Sequence, residues 1–123
     1  MTNLPGSLEL AYLGDAIYEF YVRDRLVRGG DRIHTLHKRA IGVVCAHAQA
    51  EALGRVEPLL TDEERGVVRR ARNARQTPPH NADPAEYHRA TALEALIGYL
   101  YLSNQRERME ALIESALGAG ERE

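Results

Sequence analysis

The stretch LELAYLGDAIYEFYV, residues 8–22, decides the fold of this chain, because it has the composition of a long helix that is apolar on almost every side. One face carries large aliphatic and aromatic side chains at helical spacing, and more apolar side chains follow on the other faces: Leu8, Leu10, Tyr12, Leu13, Ile17, Tyr18, Phe20, Tyr21 and Val22. We therefore expect this helix to be central and largely buried.

Asp15 lies in the middle of this stretch, directly after Gly14. Aspartate is a poor helix-interior residue, and an unpaired buried carboxylate costs several kcal/mol. The window ATALEALIGYLYLSNQ, residues 90–105, has the same anomaly: Glu94 is its only charge, and Gly98 follows four residues later. Glycine inside a helix costs about 1 kcal/mol relative to alanine, so a close helix–helix approach would explain both glycines. If the two helices cross there, Asp15 and Glu94 face each other.

Two facing carboxylates must share a proton, pair with a base or bind a cation. Basic residues are few in both windows, and Mg²⁺ typically takes one or two carboxylates together with water and substrate phosphate. Arginines from elsewhere in the chain could instead pair with the carboxylates, or one carboxylate could point outward. The sequence physics alone leaves these alternatives open.

The rest of the chain also has a helical pattern, without the sustained alternation typical of strands. Thr61 and Glu64 form a capping-box pattern, Ser7 and Asp83 are candidate N-caps, and Gly54 is a candidate helix stop. We predict an all-α fold, a single compact domain over 1–123 with its core at about 7–117, a loop at 76–83, and helices over 8–28, 35–53, 61–75, 84–102 and 106–117.

Composition limits the class of protein. The chain has 123 residues, 44% hydrophobic and 28% charged, with a formal net charge of −2, which excludes a generally polybasic binder. The single cysteine, Cys45, excludes an internal disulfide, and its apolar surroundings predict a small core residue. No apolar run reaches membrane-spanning length, and the first residues lack a secretory pattern. We expect a protein of the reducing cytoplasm without membrane association.

The charge is unevenly distributed, because residues 65–82 contain five arginines and no acidic residue. On a helix Arg65, Arg69 and Arg72 share one face, and arginines late in a helix also complement its dipole. Like-charged neighbours without acidic partners repel, so phosphate binding is the interpretation that the pattern favours. Asn73 could alternatively end the helix. The residues predicted to bind phosphate are Arg69, Arg72, Asn73, Arg75, Lys38, Arg39 and His80.

Two motifs resemble those of the ribonuclease III domain: Leu-Gly-Asp at 13–15 and Glu-Ala-Leu-Ile-Gly at 94–98. RARNAR at 70–75, followed by a loop and DPAEYHRATALEALIGYLYL at 83–102, resembles more specifically the Mini-ribonuclease III family, the short bacterial branch without a double-stranded-RNA-binding domain. The resemblance implies a cytoplasmic homodimer whose catalytic valley crosses both subunits. It also implies Mg²⁺-dependent hydrolysis of double-stranded RNA to 5′-phosphate products, in maturation of 23S ribosomal RNA, with a possible ribosomal-protein helper.

By motif, Asp15 and Glu94 match the catalytic, metal-binding carboxylates of that family. The longer enzymes have further acidic residues four positions before the first and three before the second, where this chain has Ala11 and Thr91. The resemblance thus implies Mg²⁺, with Mn²⁺ as a possible substitute, held by two carboxylates together with water and RNA phosphate. The alternatives are a catalytically inactive ribonuclease III-like module that binds RNA or assists assembly, and a helical adaptor whose arginines meet an acidic partner.

Overall fold

A computed structural model describes residues 4–118 of the chain. These residues form six α-helices and no strand, so the predicted all-α fold is confirmed. The helices are α1 (Ser7–Arg28), α2 (Ile33–Val44), α3 (Ala46–Val56), α4 (Asp62–Arg72), α5 (Pro84–Leu102) and α6 (Arg106–Leu117), with a 3-10 turn at Glu57–Leu59 between α3 and α4. Within 4–118, no helix is both long and apolar enough to cross a membrane.

Helix α5 is the centre of the structure. It packs against α1, α3, α4 and α6, and its side chains are buried on nearly all sides from Ala90 to Leu100. The large apolar side chains that are least exposed come from α1, α3 and α6 and from α5 itself: Tyr18, Val22, Leu53, Val56, Leu93, Leu96, Ile97, Leu100 and Met109.

Helices α1 and α5 cross at two glycines. A Cβ atom built on Gly14 would lie 1.7 Å from the backbone oxygen of Glu94, and one built on Gly98 would lie 2.1 Å from the backbone oxygen of Leu10. Neither position has room for a side chain, because the opposite backbone occupies the space. The close helix–helix approach expected beside the two carboxylates is therefore present.

Helix α1 is less buried than its composition suggests. Leu8, Tyr12 and Phe20 lie on its outer side, and the Tyr12 side chain is 86% exposed. The inner side, which contacts the core, consists of Leu10, Ala11, Gly14, Tyr18, Val22 and Leu26. The expectation of a largely buried helix was wrong for the outer face, because α5 covers only one side of α1.

The predicted helix ends are partly correct. Thr61 and Glu64 form the complete capping box, and the Asp83 carboxylate accepts hydrogen bonds from the first turn of α5. The Ser7 cap was wrong, because Gly6 is the N-cap of α1 and no side chain caps it. Helix α4 ends at Arg72, three residues earlier than predicted, and Asn73 is its C-cap.

The predicted helix over 35–53 is two helices. The backbone is extended at Cys45 (φ −68°, ψ 161°), which separates α2 from α3, and α3 continues through Gly54 to Val56 before Pro58. The Cys45 side chain is exposed, so its prediction as a core residue was wrong. The break changes the direction of the chain and allows α3 to pack against α5.

The buried carboxylate of Glu64 is held by Arg108, whose guanidinium donates to both of its oxygens at 2.8 and 2.9 Å. Glu64 is 3% exposed, and these hydrogen bonds lower its pKa. We expect Arg108→Met to lower the free energy of unfolding by about 3–5 kcal/mol, because it leaves a buried charge unpaired. The control is Arg28→Met, which breaks the exposed pair with Asp24. It should change the free energy of unfolding by less than about 1 kcal/mol.

The sign of the pH dependence follows from the lowered pKa. The stability that Glu64 contributes is present above its unfolded-state pKa and is lost as the pH falls through the folded-state pKa. Urea unfolding between pH 3 and 7 measures this contribution. An Arg108→Met variant whose stability matches that of Arg28→Met at pH 7 would contradict the assignment of Glu64 as a paired carboxylate.

Candidate active site

The carboxyl groups of Asp15 and Glu94 meet where α1 and α5 cross. The two side chains are hydrogen-bonded to each other, and the backbone contact of Gly14 with Glu94 sets their separation. Asp15 lies on the exposed side of the crossing, whereas Glu94 is partly buried. The pair therefore lies at the surface, with one carboxyl group open to solvent and the other beneath it.

The environment of Glu94 favours its protonated form. Burial, followed by the charge of Asp15 and the hydrogen bond with it, raises the pKa of Glu94 to about 8. Near neutral pH Glu94 therefore carries a proton, which removes the repulsion that two facing carboxylates would otherwise have. A cation that displaced this proton would relieve the same repulsion.

A pH titration of stability tests this arrangement. Because the folded-state pKa of Glu94 is above its unfolded-state pKa, its contribution is fully present below about pH 4.5 and is lost as the pH rises through 8. Each unit of difference between the folded-state and unfolded-state pKa corresponds to about 1.4 kcal/mol of folding free energy. In EDTA, we expect the free energy of unfolding of the wild-type protein to fall by several kcal/mol more between pH 5 and 9 than that of Glu94→Gln. Parallel curves for the two proteins would contradict the raised pKa of Glu94.

The donor set is small. In the part of the chain from 4 to 118, no group of three or more histidine, cysteine, aspartate or glutamate side chains is arranged to hold a metal ion. The positions where the longer enzymes have further carboxylates, Ala11 and Thr91, are both buried. The Thr91 hydroxyl donates to the Tyr87 backbone oxygen and accepts from Gln76 Nε2, both at 3.0 Å. This contact attaches the loop after α4 to α5, one helical turn before Glu94.

A buried glutamine also reaches the pair, and the motif-based interpretation did not include it. Gln49 of α3 is 2% exposed, and its side chain is hydrogen-bonded to Glu94. The available sequence signal was a polar residue on the apolar face of a helix, four residues before Leu53. The break at Cys45 obscured that face, because a continuous helix over 35–53 would orient Gln49 differently relative to α5.

The arginines of α4 line a surface cleft of about 700 Å³ beside the turn at Glu57–Leu59. Arg65, Arg69, Arg72 and Asn73 contribute to its wall, together with Glu57, Pro58, Leu60 and Val68. Glu57 lies 3.9 Å from Arg72 and also contacts Arg89. Three arginines and one glutamate therefore line the cleft, so its wall carries net positive charge.

The other predicted RNA-binding residues lie in different places. Arg75 and His80 are exposed in the loop that follows α4, and Lys38 is exposed on α2. The Arg39 guanidinium is engaged by Asp31, donating to its two carboxylate oxygens at 2.8 and 3.0 Å. The structure therefore brings Arg69, Arg72 and Asn73 together in the cleft but does not place Lys38 or Arg39 in its wall.

Comparison with known proteins agrees with this architecture. Residues 8–105 match the model of the ribonuclease III domain. A Mini-ribonuclease 3 of Symbiobacterium thermophilum is 51% identical, over 89% of this chain and 85% of that protein. A Mini-ribonuclease 3 of Brevibacillus brevis is 46% identical, over 98% of this chain and 92% of that protein. A crystal structure of a protein from Fusobacterium nucleatum has a TM-score of 0.82 at 37% identity, over 88% of this chain and 89% of that one.

The matched region contains both carboxylates, both crossing glycines and the arginine-lined cleft. The identities extend over most of each compared protein, so the similarity is not confined to one motif. The chain belongs to the ribonuclease III domain family, in its Mini-ribonuclease III branch.

Proposed function

We propose that this protein is an endoribonuclease that hydrolyses phosphodiester bonds of double-stranded RNA with the help of Mg²⁺. The observation that carries the proposal is the contact between Asp15 and Glu94 at the glycine crossing of α1 and α5, in a chain of this family. In the reaction a water molecule attacks the phosphorus atom and the bond from phosphorus to the 3′ oxygen breaks. The products carry a 5′-phosphate and a 3′-hydroxyl group.

The residues present fit a hard divalent cation. Both donors are carboxylate oxygens, which Mg²⁺ and Mn²⁺ accept, and a bound cation would take over the role of the proton that Glu94 holds in its absence. When bound, the ion would supply an activated water and stabilise the charge on the leaving oxygen. Asp15 and Glu94 would hold it, and Glu94 would lose its proton as the ion binds. Because the chain offers only two such donors here, RNA phosphate and water would complete the coordination.

The arginine cleft supports RNA as the substrate. Guanidinium groups donate to phosphate oxygens in a fixed planar geometry, and A-form RNA is recognised mostly through its backbone and 2′-hydroxyl groups. Arg69, Arg72 and Asn73 would contact phosphates in the cleft, and Arg75 and His80 would extend the contact along the loop. The loop is attached to α5 near Glu94 through Gln76, so this contact would lie close to the carboxylate pair.

A homodimer is part of the proposal. Tyr12, Ala16 and Phe20 follow each other at intervals of one helical turn on the outer face of α1, and all three are exposed. Phe20 and Ala16 line one depression together with Tyr101 of α5, which is 50% exposed. A second copy of the chain covering this apolar face would place two carboxylate pairs on one assembly, one for each RNA strand. Sedimentation analysis of the full chain measures this state.

The test of the function is cleavage of a long double-stranded RNA by the full chain. We expect products with 5′-phosphate ends in Mg²⁺ or Mn²⁺, none in EDTA, and binding that weakens steeply with salt because phosphate contacts release counterions. RNA binding without cleavage in either metal would support the inactive RNA-binding module instead. If the protein neither bound nor cleaved RNA, the helical adaptor would be the supported alternative.

The natural substrate implied by the resemblance is precursor 23S ribosomal RNA. Incubation of a precursor transcript with the protein, followed by mapping of the 5′ ends, tests this substrate. We expect cuts in double-stranded RNA at the ends of the 23S sequence. A requirement for a ribosomal protein would appear as cleavage of the assembled particle but not of the naked transcript.

A further inference from the structure

Gln49 lies on the inner face of α3, and no step proposed above uses it. Its Nε2 donates to the backbone oxygen of Val44, the last residue of α2, at 2.9 Å. Its Oε1 is buried without a hydrogen-bond partner in the described structure. A buried polar atom left in this state costs about 1–3 kcal/mol, so the contacts of the amide nitrogen must offset this cost.

The second contact of this amide is with Glu94. A carbonyl oxygen accepts and never donates, so the Val44 oxygen fixes which end of the amide is the nitrogen. The nitrogen has a second hydrogen, and this hydrogen is available to the Glu94 carboxyl group. The amide nitrogen of Gln49 thus donates to the Val44 backbone oxygen and to the Glu94 side chain.

Gln49 therefore connects three elements: the end of α2, the inner face of α3 and the carboxyl group on α5. Helices α3 and α5 pack closely along their length, and the glutamine is as buried as the leucines around it. Gln49 is buried and contacts Glu94 from the core, whereas Asp15 is exposed and contacts Glu94 at the surface. Loss of the amide would leave the Glu94 carboxyl group without a partner on its buried side, so that its hydrogen bond with Asp15 alone would orient it.

We propose that Gln49 is a positioning residue that holds the Glu94 carboxyl group in the orientation in which it binds the divalent cation, an inference that rests on the function proposed above. Gln49 touches neither RNA nor the reacting atoms in this role. Residues that orient a metal ligand typically change metal affinity or activity by about 10–100-fold when they are replaced.

The test uses Gln49→Met and Gln49→Leu in the full chain. Both substitutions remove the amide and leave an apolar side chain of similar size. We expect the dissociation constant for Mn²⁺, measured by calorimetry without RNA, to rise about 10–100-fold. We expect kcat at a fixed Mg²⁺ concentration to fall by a similar factor, with KM for RNA unchanged. In a Glu94→Gln background, Gln49→Met should have no further effect on Mn²⁺ binding.

The control is Gln105→Met, which removes an amide hydrogen bond at the junction of α5 and α6 away from the carboxylate pair. Thermal unfolding of every variant in EDTA separates a folding defect from a metal-binding defect, and measurement at low temperature keeps a destabilised variant folded. Wild-type affinity for Mn²⁺ in folded Gln49→Met or Gln49→Leu would overturn the proposal. Absence of cleavage by the wild-type protein would instead reject the proposed function itself.

Discussion

Asp15→Asn is expected to reduce RNA cleavage by about three orders of magnitude while RNA binding is retained. Metal ions contribute several kcal/mol of transition-state stabilisation, and each 1.36 kcal/mol corresponds to about a tenfold change in rate. The substitution removes the solvent-exposed carboxylate of the pair and adds no bulk, so the helix crossing is undisturbed. Single-turnover cleavage and a filter-binding assay of the same preparation measure both effects.

Asp24→Asn is the matched control, because Asp24 is an aspartate on the same helix whose charge pairs with Arg28 at the surface. It should leave the cleavage rate within about twofold of the wild type, as expected for an exposed pair that contributes little. Cleavage by Asp15→Asn at the wild-type rate would reject the assignment of Asp15 as a catalytic residue. Loss of RNA binding together with cleavage would show that Asp15 has a structural role.

Gly14→Ala and Gly98→Ala are expected to have the largest effects on stability. Each methyl group would lie within 1.7 to 2.1 Å of a backbone oxygen on the opposite helix, a contact that no rotamer change relieves. Overpacking of a core costs about 1–3 kcal/mol and occasionally more. We expect at least about 3 kcal/mol here, or a fall of roughly 15 °C in Tm, because the two backbones must separate. Differential scanning calorimetry in EDTA measures this loss.

Gly54→Ala is the control for the intrinsic effect of the substitution. A Cβ atom at Gly54 meets only Arg89 Nη2 at 3.5 Å, and the residue lies inside α3. Alanine is the better helix former by about 1 kcal/mol, so this variant should be slightly more stable than the wild type. If all three alanine variants gained stability, the close crossing of α1 and α5 would be contradicted.

The two predictions distinguish the two roles of the crossing. Gly14 and Gly98 bring the backbones together, and their replacement should impair folding and activity in parallel. Asp15 uses the resulting proximity, and its replacement should impair activity alone. A site built on two packed helices holds its carboxyl groups more rigidly than a loop does, which the proposed metal site with two protein donors would require.

Most of the fold could be predicted from local patterns. The capping box at Thr61, the N-cap at Asp83 and the glycines beside the two carboxylates each depend on residues at most four positions apart, and the structure contains each of them. The break at Cys45 could not be predicted, because no glycine or proline marks it. Its stabilising contact comes from Gln49 in the next helix, which donates to the carbonyl left free at the end of α2.

Residue types and their spacing were therefore enough to predict that the chain is helical, that two carboxylates lie inside apolar helices near glycines, and that positive charge is concentrated in one segment. These properties depend on neighbouring residues of one helix. The exposure of Asp15, the desolvation of Glu94, the pairing of Arg39 with Asp31 and the contact of Gln49 with the site became apparent from the packing of the helices. Burial and hydrogen bonding between helices depend on how distant segments pack, which no local pattern specifies.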